Sequence, residues 1–155
     1  MEQVLTFERT IDPQHHFIPL VVRMKLDLAG ARIHLADWQA LADEDRRFLI
    51  DLDITDPAQG RYYFNALREL LAAANRGTME QSDPVTESAT DWLKETEPKP
   101  ITLFKARAGI HGDWQALTRF QRYLLCHAAH KDDVTLNQRI IAEIPALELL
   151  QSWRG

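Results

Sequence analysis

The pentapeptide DWQAL occurs twice, at Asp37–Leu41 and at Asp113–Leu117. This repetition constrains the fold more than any other feature of the chain. The two tryptophans are offset by 114 − 38 = 76 residues. At that offset WQALADEDRRFLI lies over WQALTRFQRYLLC, with Arg46 on Arg122 and Phe48-Leu49 on Leu124-Leu125. Ile33-His34 precedes the first Asp-Trp pair and Ile110-His111 the second. Upstream, PLVVRMKLDLAG from Pro19 to Gly30 is matched by PITLFKARAG from Pro100 to Gly109. Chance can supply five identical letters, but the matched Trp, Leu and Arg around them point to duplication. The expected organisation is a single domain over 1–155, with copies at about 19–77 and 100–144 and a linker at 78–99.

Local signals make the fold mainly α. Proline suits a first helical turn and glycine the left-handed position after the last, so 19–30 reads as a helix. A competing signal is the alternation in VRMKLDL, which has strand periodicity. The next element is expected from about Ala36, with Trp38, Leu41, Phe48 and Leu49 as core candidates and a break at Asp43-Glu44-Asp45. Asp56 can cap a third helix, Pro57 fits its first turn and Gly77 can stop it. Tyr63, Leu67, Leu70 and Ala74 share its apolar face. The second copy is expected to place helices from Asp113, over 119–129, and after Thr135 with Leu136, Ile140 and Ile144. Pro145 permits a terminal helix with Leu149, Leu150 and Trp153, and short extended pieces are expected at Val4–Phe7 and Arg32–Leu35. The linker is rich in Glu, Asp, Ser, Thr and Pro. Trp92-Leu93 within it are expected to dock on the core.

The chemistry-bearing residues form no enzyme signature, and the chain is expected to be non-catalytic and without a cofactor. Ser82, Ser88 and Ser152 lack a nucleophile elbow, and no phosphate-cradling glycine loop exists. Cys126 and His127 are adjacent and diverge by about 100° on a helix, which is poor geometry for an activated thiol. His127 and His130, three apart, could supply two metal ligands, with His111 as a third. A metal site needs three or four that converge. Protonated histidine at a helix C-terminus is the simpler account of the pair. His34 and His111 read as polar residues at a turn, and His15-His16 as a surface loop. The paired arginines, Arg46 and Arg122, read as internal partners of acids such as Asp37 or Asp43. Arg23 and Lys25 project from an apolar segment and either pair internally with acids or form an interaction surface, since Arg suits bidentate recognition of carboxylates.

Charge narrows the partners. Asp and Glu number 23 against 18 Lys and Arg, giving a net charge of −5. A helix-turn-helix regulator is therefore disfavoured, because DNA binding needs clustered bases to displace counterions. No apolar run reaches the roughly 20 residues of a membrane span, and no signal peptide is evident. A single cysteine excludes an internal disulfide framework. Together these features lead us to expect a cytoplasmic protein.

The first copy carries a resemblance. FIPLVVRMKLDLAGARIHLADWQAL followed by RRFL resembles the nitrate reductase-associated protein family, and the likeness runs on through Pro84 and Trp92 to DWQALTRFQRYLL, roughly from Phe17 to Glu143. Pro19, Arg23, Lys25, Leu26, Asp27, Gly30, Trp38, Leu41 and Arg46 match the shared stretch, and its charged members Arg23, Lys25 and Asp27 are the candidate interaction surface. The resemblance implies a small cytoplasmic protein linked to assimilatory nitrate reductase and molybdenum-cofactor functions. Its partners would be nitrate reductase or cofactor-biosynthesis proteins. It brings no catalytic residues with it. The expected function is an accessory factor for assembly or maturation; the alternative is a small helical protein that binds a metal or cofactor.

Overall fold

Helix α2 (Leu20–Ala29) begins where Pro19 stands as N-cap and stops at Gly30, whose φ of 71° is left-handed. Its counterpart α6 (Lys99–Ala108) begins at Pro98 and stops at Gly109, with φ 68°. Helix therefore overrides the strand-like alternation of VRMKLDL. The prolines that correspond are Pro19 and Pro98; Pro100 lies inside the first turn of α6, which corrects the pairing with Pro100. At Gly30 the choice of residue is doubly required. A Cβ there would lie 2.4 Å from the Ser82 carbonyl oxygen and 3.0 Å from Pro84, and a positive φ is strained for other residues.

The computed structural model describes residues 2–76, 79–85, 90–131 and 133–149. The chain divides into two compact units, Met1–Val85 and Thr86–Gly155. Unit 1 runs α1 (Thr6–Ile11), α2, β1 (Ala31–Arg32), α3 (Leu35–Ala40), α4 (Asp43–Asp51), α5 (Pro57–Ala73) and β2 (Glu80–Gln81). Unit 2 runs a 3-10 turn (Asp91–Leu93), α6, β3 (Ile110–His111), a second 3-10 turn (Trp114–Ala116), α7 (Arg119–His130), α8 (Val134–Ala142) and β4 (Glu148–Leu149). In each, the two-residue strand after the first long helix pairs antiparallel with the unit's last strand: Ala31 faces Gln81, and Ile110 faces Leu149.

The sequence from Gly to Trp is shorter in unit 2, 110–113 against 31–37 in unit 1. There is accordingly room for a full α3 in one and only a 3-10 turn in the other. The expected break at Asp43-Glu44-Asp45 falls instead at Leu41-Ala42; the three acids form the first turn of α4, where they complement the helix dipole. Of the extended piece expected at Val4–Phe7, Leu5 is extended, whereas Thr6 and Phe7 open α1. Glu8 reaches back to the Leu5 N–H at 3.3 Å and across to the Leu20 N–H at 3.1 Å, which initiates α1 and ties it to α2. Of the extended piece expected at Arg32–Leu35, only Arg32 is strand, while Leu35 opens α3.

Helix α5 starts as its residues dictate: the Asp56 side chain accepts from the Gln59 N–H and Pro57 occupies the first turn. Tyr63, Leu67 and Leu71 are its buried face. It ends before Gly77, which lies outside the described residues; Asn75 takes the left-handed conformation, φ 59°, and the Arg76 N–H returns to the Leu71 carbonyl at 2.8 Å. The stretch expected as linker contributes to both units. Residues 80–85 lie against α2, with the Val85 N–H on the Asp27 carbonyl, and Trp92 is buried in unit 2. Leu149 belongs to β4, because its backbone is paired with β3; Leu150 and Trp153 lie outside the described residues.

Candidate functional site

The DWQ steps are anchors. Trp38 Nε1 donates to the His15 carbonyl at 2.7 Å, and Gln39 Nε2 donates to the next carbonyl, His16, at 3.1 Å. In unit 2, Trp114 Nε1 donates to Lys94 O at 3.0 Å and Gln115 Nε2 to the following carbonyl, Glu95. Each pair of side chains thus grips two consecutive peptides of the segment leading into α2 or α6. The arginines complete the grip. Arg46 donates to the Leu41 carbonyl at 2.6 Å. Arg122 donates to Trp114 O and Lys94 O, both at 3.2 Å, and stacks over the Trp114 ring at 5.0 Å. Both arginines pair internally, as expected, but chiefly with carbonyls rather than acids; among the described residues, Asp43 alone approaches Arg46 as an ion pair, at 4.0 Å.

The aspartates of the two steps differ. Asp113 caps its turn by accepting from the Gln115 N–H. Asp37 sits inside α3 and accepts from the His34 N–H at 2.9 Å and from Arg76 Nε at 2.9 Å. Burial raises the Asp37 pKa, but these two donors outweigh it and hold the carboxyl below its ordinary value. The gripped loop in unit 1 is itself constrained. His15 has φ 55°, a conformation costly for a residue with a Cβ. The Asp12 carboxylate accepts from the His16 and Phe17 N–H groups.

The candidate interaction surface is split by the helix that carries it. Arg23 and Asp27 are exposed. Lys25 is fully buried, at 0% exposure, and its Nζ donates to the Ile50 carbonyl at 2.5 Å. Lys25 is therefore not a surface residue. The signal was available in the spacing: at 100° per residue, Arg23 and Asp27 lie on one face and Lys25 about 200° from each. Burial pushes the Asp27 carboxyl up, with Arg32 and Arg23 pulling it down.

Lys25 has an architectural task. The last carbonyls of a helix lack intrahelical partners. In α4, Phe48 O is taken by the Leu52 N–H, Leu49 O by the Tyr63 hydroxyl at 2.9 Å and Ile50 O by Lys25. A cation at a helix C-terminus also complements the dipole. Burial raises the Tyr63 pKa well above its usual value, so the phenol remains a donor.

The histidines do not assemble. His127 and His130 lie in the last turn of α7, whereas His111 is on β3 opposite Glu148. Among the described residues no group of three or more His, Cys, Asp or Glu is placed to hold a metal ion. His127 instead stacks on Tyr123 at 6.3 Å, and Trp92 meets Tyr123 edge-on at 5.1 Å. These rings wall a cleft of about 360 Å³ that Asp91, Cys126 and His130 also line. Burial, assisted by Asp91, pushes the Cys126 thiol up to about 12, so at neutral pH it is not the thiolate that nucleophilic chemistry requires. Sequence reasoning missed a second cavity in unit 2, a groove of about 1040 Å³ bounded by α6, α7 and α8.

Among the described residues, no helix is long and apolar enough to cross a membrane. Neither the curated proteins nor the solved structures give a match to the chain. The family described as conserved nitrate reductase-associated protein matches residues 4–142, an extent that takes in both DWQAL steps, the Pro-to-Gly helices and the buried Lys25. The chain belongs to the nitrate reductase-associated protein family.

Proposed function

We propose that this protein is a non-catalytic accessory factor of a molybdenum-dependent assimilatory nitrate reductase, acting in its assembly or maturation in the cytoplasm. The observation that carries the reading is the family match over 4–142, whose description speaks of association with nitrate reductase. The geometry is compatible with a binding role. Its most strongly shifted acids, Tyr63 and Cys126, are buried and held protonated. Ile11, Phe17, Leu35, Phe48 and Tyr62 are exposed in unit 1, where Arg23 and Asp27 add polar contacts. In mechanism, the factor holds an immature enzyme, or presents it to the proteins that load its cofactor, through a helical surface.

The test is affinity capture of the tagged protein from nitrate-grown cells, together with deletion of its gene. Co-purification of nitrate reductase or of cofactor-biosynthesis proteins is expected, with reduced nitrate reductase activity in the deletion strain. Absence of those partners, with activity unchanged on deletion, overturns the proposal.

A further inference from the structure

We infer that the groove of unit 2 is a docking site for an acidic amphipathic peptide segment. Its volume of about 1040 Å³ lies at the upper end of the range for small-ligand pockets and suits several side chains of an extended or helical segment. Its walls are mainly apolar: Phe104 from α6, Val134 and Ile141 from α8, and Ile144 and Leu147 beyond it. Val134 is 70% exposed, an apolar side chain at the rim with nothing over it among the described residues.

Charge selects the occupant. The chain carries more acids than bases, yet among the described residues the groove is lined by Arg107, His130 and Lys131 and by no carboxylate. Among the described residues no ion pair joins Arg107 or Lys131 to an acid; the bridges of unit 2 belong to Lys94 and Lys105. Both side chains are exposed and free to meet an incoming carboxylate, Arg107 in the bidentate manner its fork favours.

Asn137 joins two of the walls, its Nδ2 donating to the Lys131 carbonyl at 3.3 Å. Apolar wall and basic rim are met together by a segment bearing leucine-like side chains and carboxylates. The inference deepens the accessory reading and rests on it only for the source of the segment, a protein partner.

The experiment uses the full chain and a fluorescein-labelled amphipathic peptide of leucine and glutamate, followed by anisotropy. Micromolar binding is expected, weakened roughly tenfold or more in the double variant Arg107→Glu, Lys131→Glu. Both positions are exposed, so the variant's melting temperature should stay near that of the parent. The counterpart peptide with lysine in place of glutamate should not bind. Equal binding of both peptides, an affinity indifferent to the double variant, or tighter binding of laurate or of a single-stranded oligonucleotide overturns the assignment. Because this measurement contains no nitrate reductase, its failure is distinct from failure of the capture experiment.

Discussion

The two units end the helix that follows the DWQAL step differently. In unit 1, α4 stops at Asp51 and its terminal carbonyls are taken by Tyr63 and by the buried Lys25. In unit 2, α7 continues to His130, and the α6 position that matches Lys25 when Gly30 is laid on Gly109 is the buried Phe104. Unit 1 seals a helix end with polar groups from its neighbours. Unit 2 prolongs the helix, packs its inner face with apolar residues and leaves its end bordering two cavities. A common frame therefore supports a closed unit and an open one, and the difference turns on a few positions.

The sharpest way to break this comparison is at Lys25. Lys25→Ala removes a buried stem and leaves the Ile50 carbonyl without its donor, so a loss of about 3–5 kcal/mol in chemical denaturation is expected. Lys25→Met keeps the volume and should lose only the donor, roughly 1–3 kcal/mol. If both variants cost the same small amount, Lys25 does not seal α4.

Next in size is Gly30→Ala. Strain at positive φ together with the 2.4 Å approach to Ser82 O should destabilise unit 1 by more than about 1 kcal/mol, read as a lowered melting temperature. A neutral result would mean that residues 82–85 do not lie across the end of α2.

The anchors themselves are predicted to be equivalent. Trp38→Phe and Trp114→Phe each retain an aromatic ring but lose the Nε1 donor, and each should cost about 1–2 kcal/mol. A large inequality between them would show that only one grip holds its strap.

A smaller contrast separates the aspartates. The folded Asp37 carboxyl lies below its ordinary 3.8. Its contribution is thus complete above about pH 3.8 and is lost as the pH falls through the lower folded value. Asp37→Asn should flatten this acid-side decline in stability. Asp113→Asn replaces one good cap by another and should change stability by only a few tenths of a kcal/mol, about the limit of detection. The smallest effect concerns Cys126: with its thiol pushed up to about 12, alkylation at pH 8 should await unfolding. Rapid labelling of the native protein would show that the cleft beside it is more open than the packing around Tyr123 indicates.

Much of the frame was written in punctuation. Pro19, Gly30, Asp56 and Pro57 act through their own backbone preferences, which is why α2 and α5 begin as expected and α2 ends at its glycine. DWQAL marked a structural step for a similar reason, since a buried indole needs a partner for its N–H. What stayed hidden depended on tertiary neighbours. Lys25 looks like a surface charge until the end of α4 is known to lie beside it. The helix at Thr6–Ile11 depends on Glu8 meeting the start of α2, and the grove of Arg107, Lys131 and Asn137 draws on three elements whose packing no local pattern announces. His127 and His130 showed the reverse hazard. Suitable spacing on one helix was not followed by convergence with His111.

The tryptophan grip also bears on how quickly each unit can form. Trp38 meets its strap across 23 residues and Trp114 across 20. For flexible chains the entropies of closing two such loops differ by only about 0.1 kcal/mol. The two closures are short and nearly matched, so neither tryptophan has to wait on a long chain search. Each is suited to early contact formation, and the rates of the two units should diverge at later steps: the burial of Lys25 in one, the extension of α7 in the other.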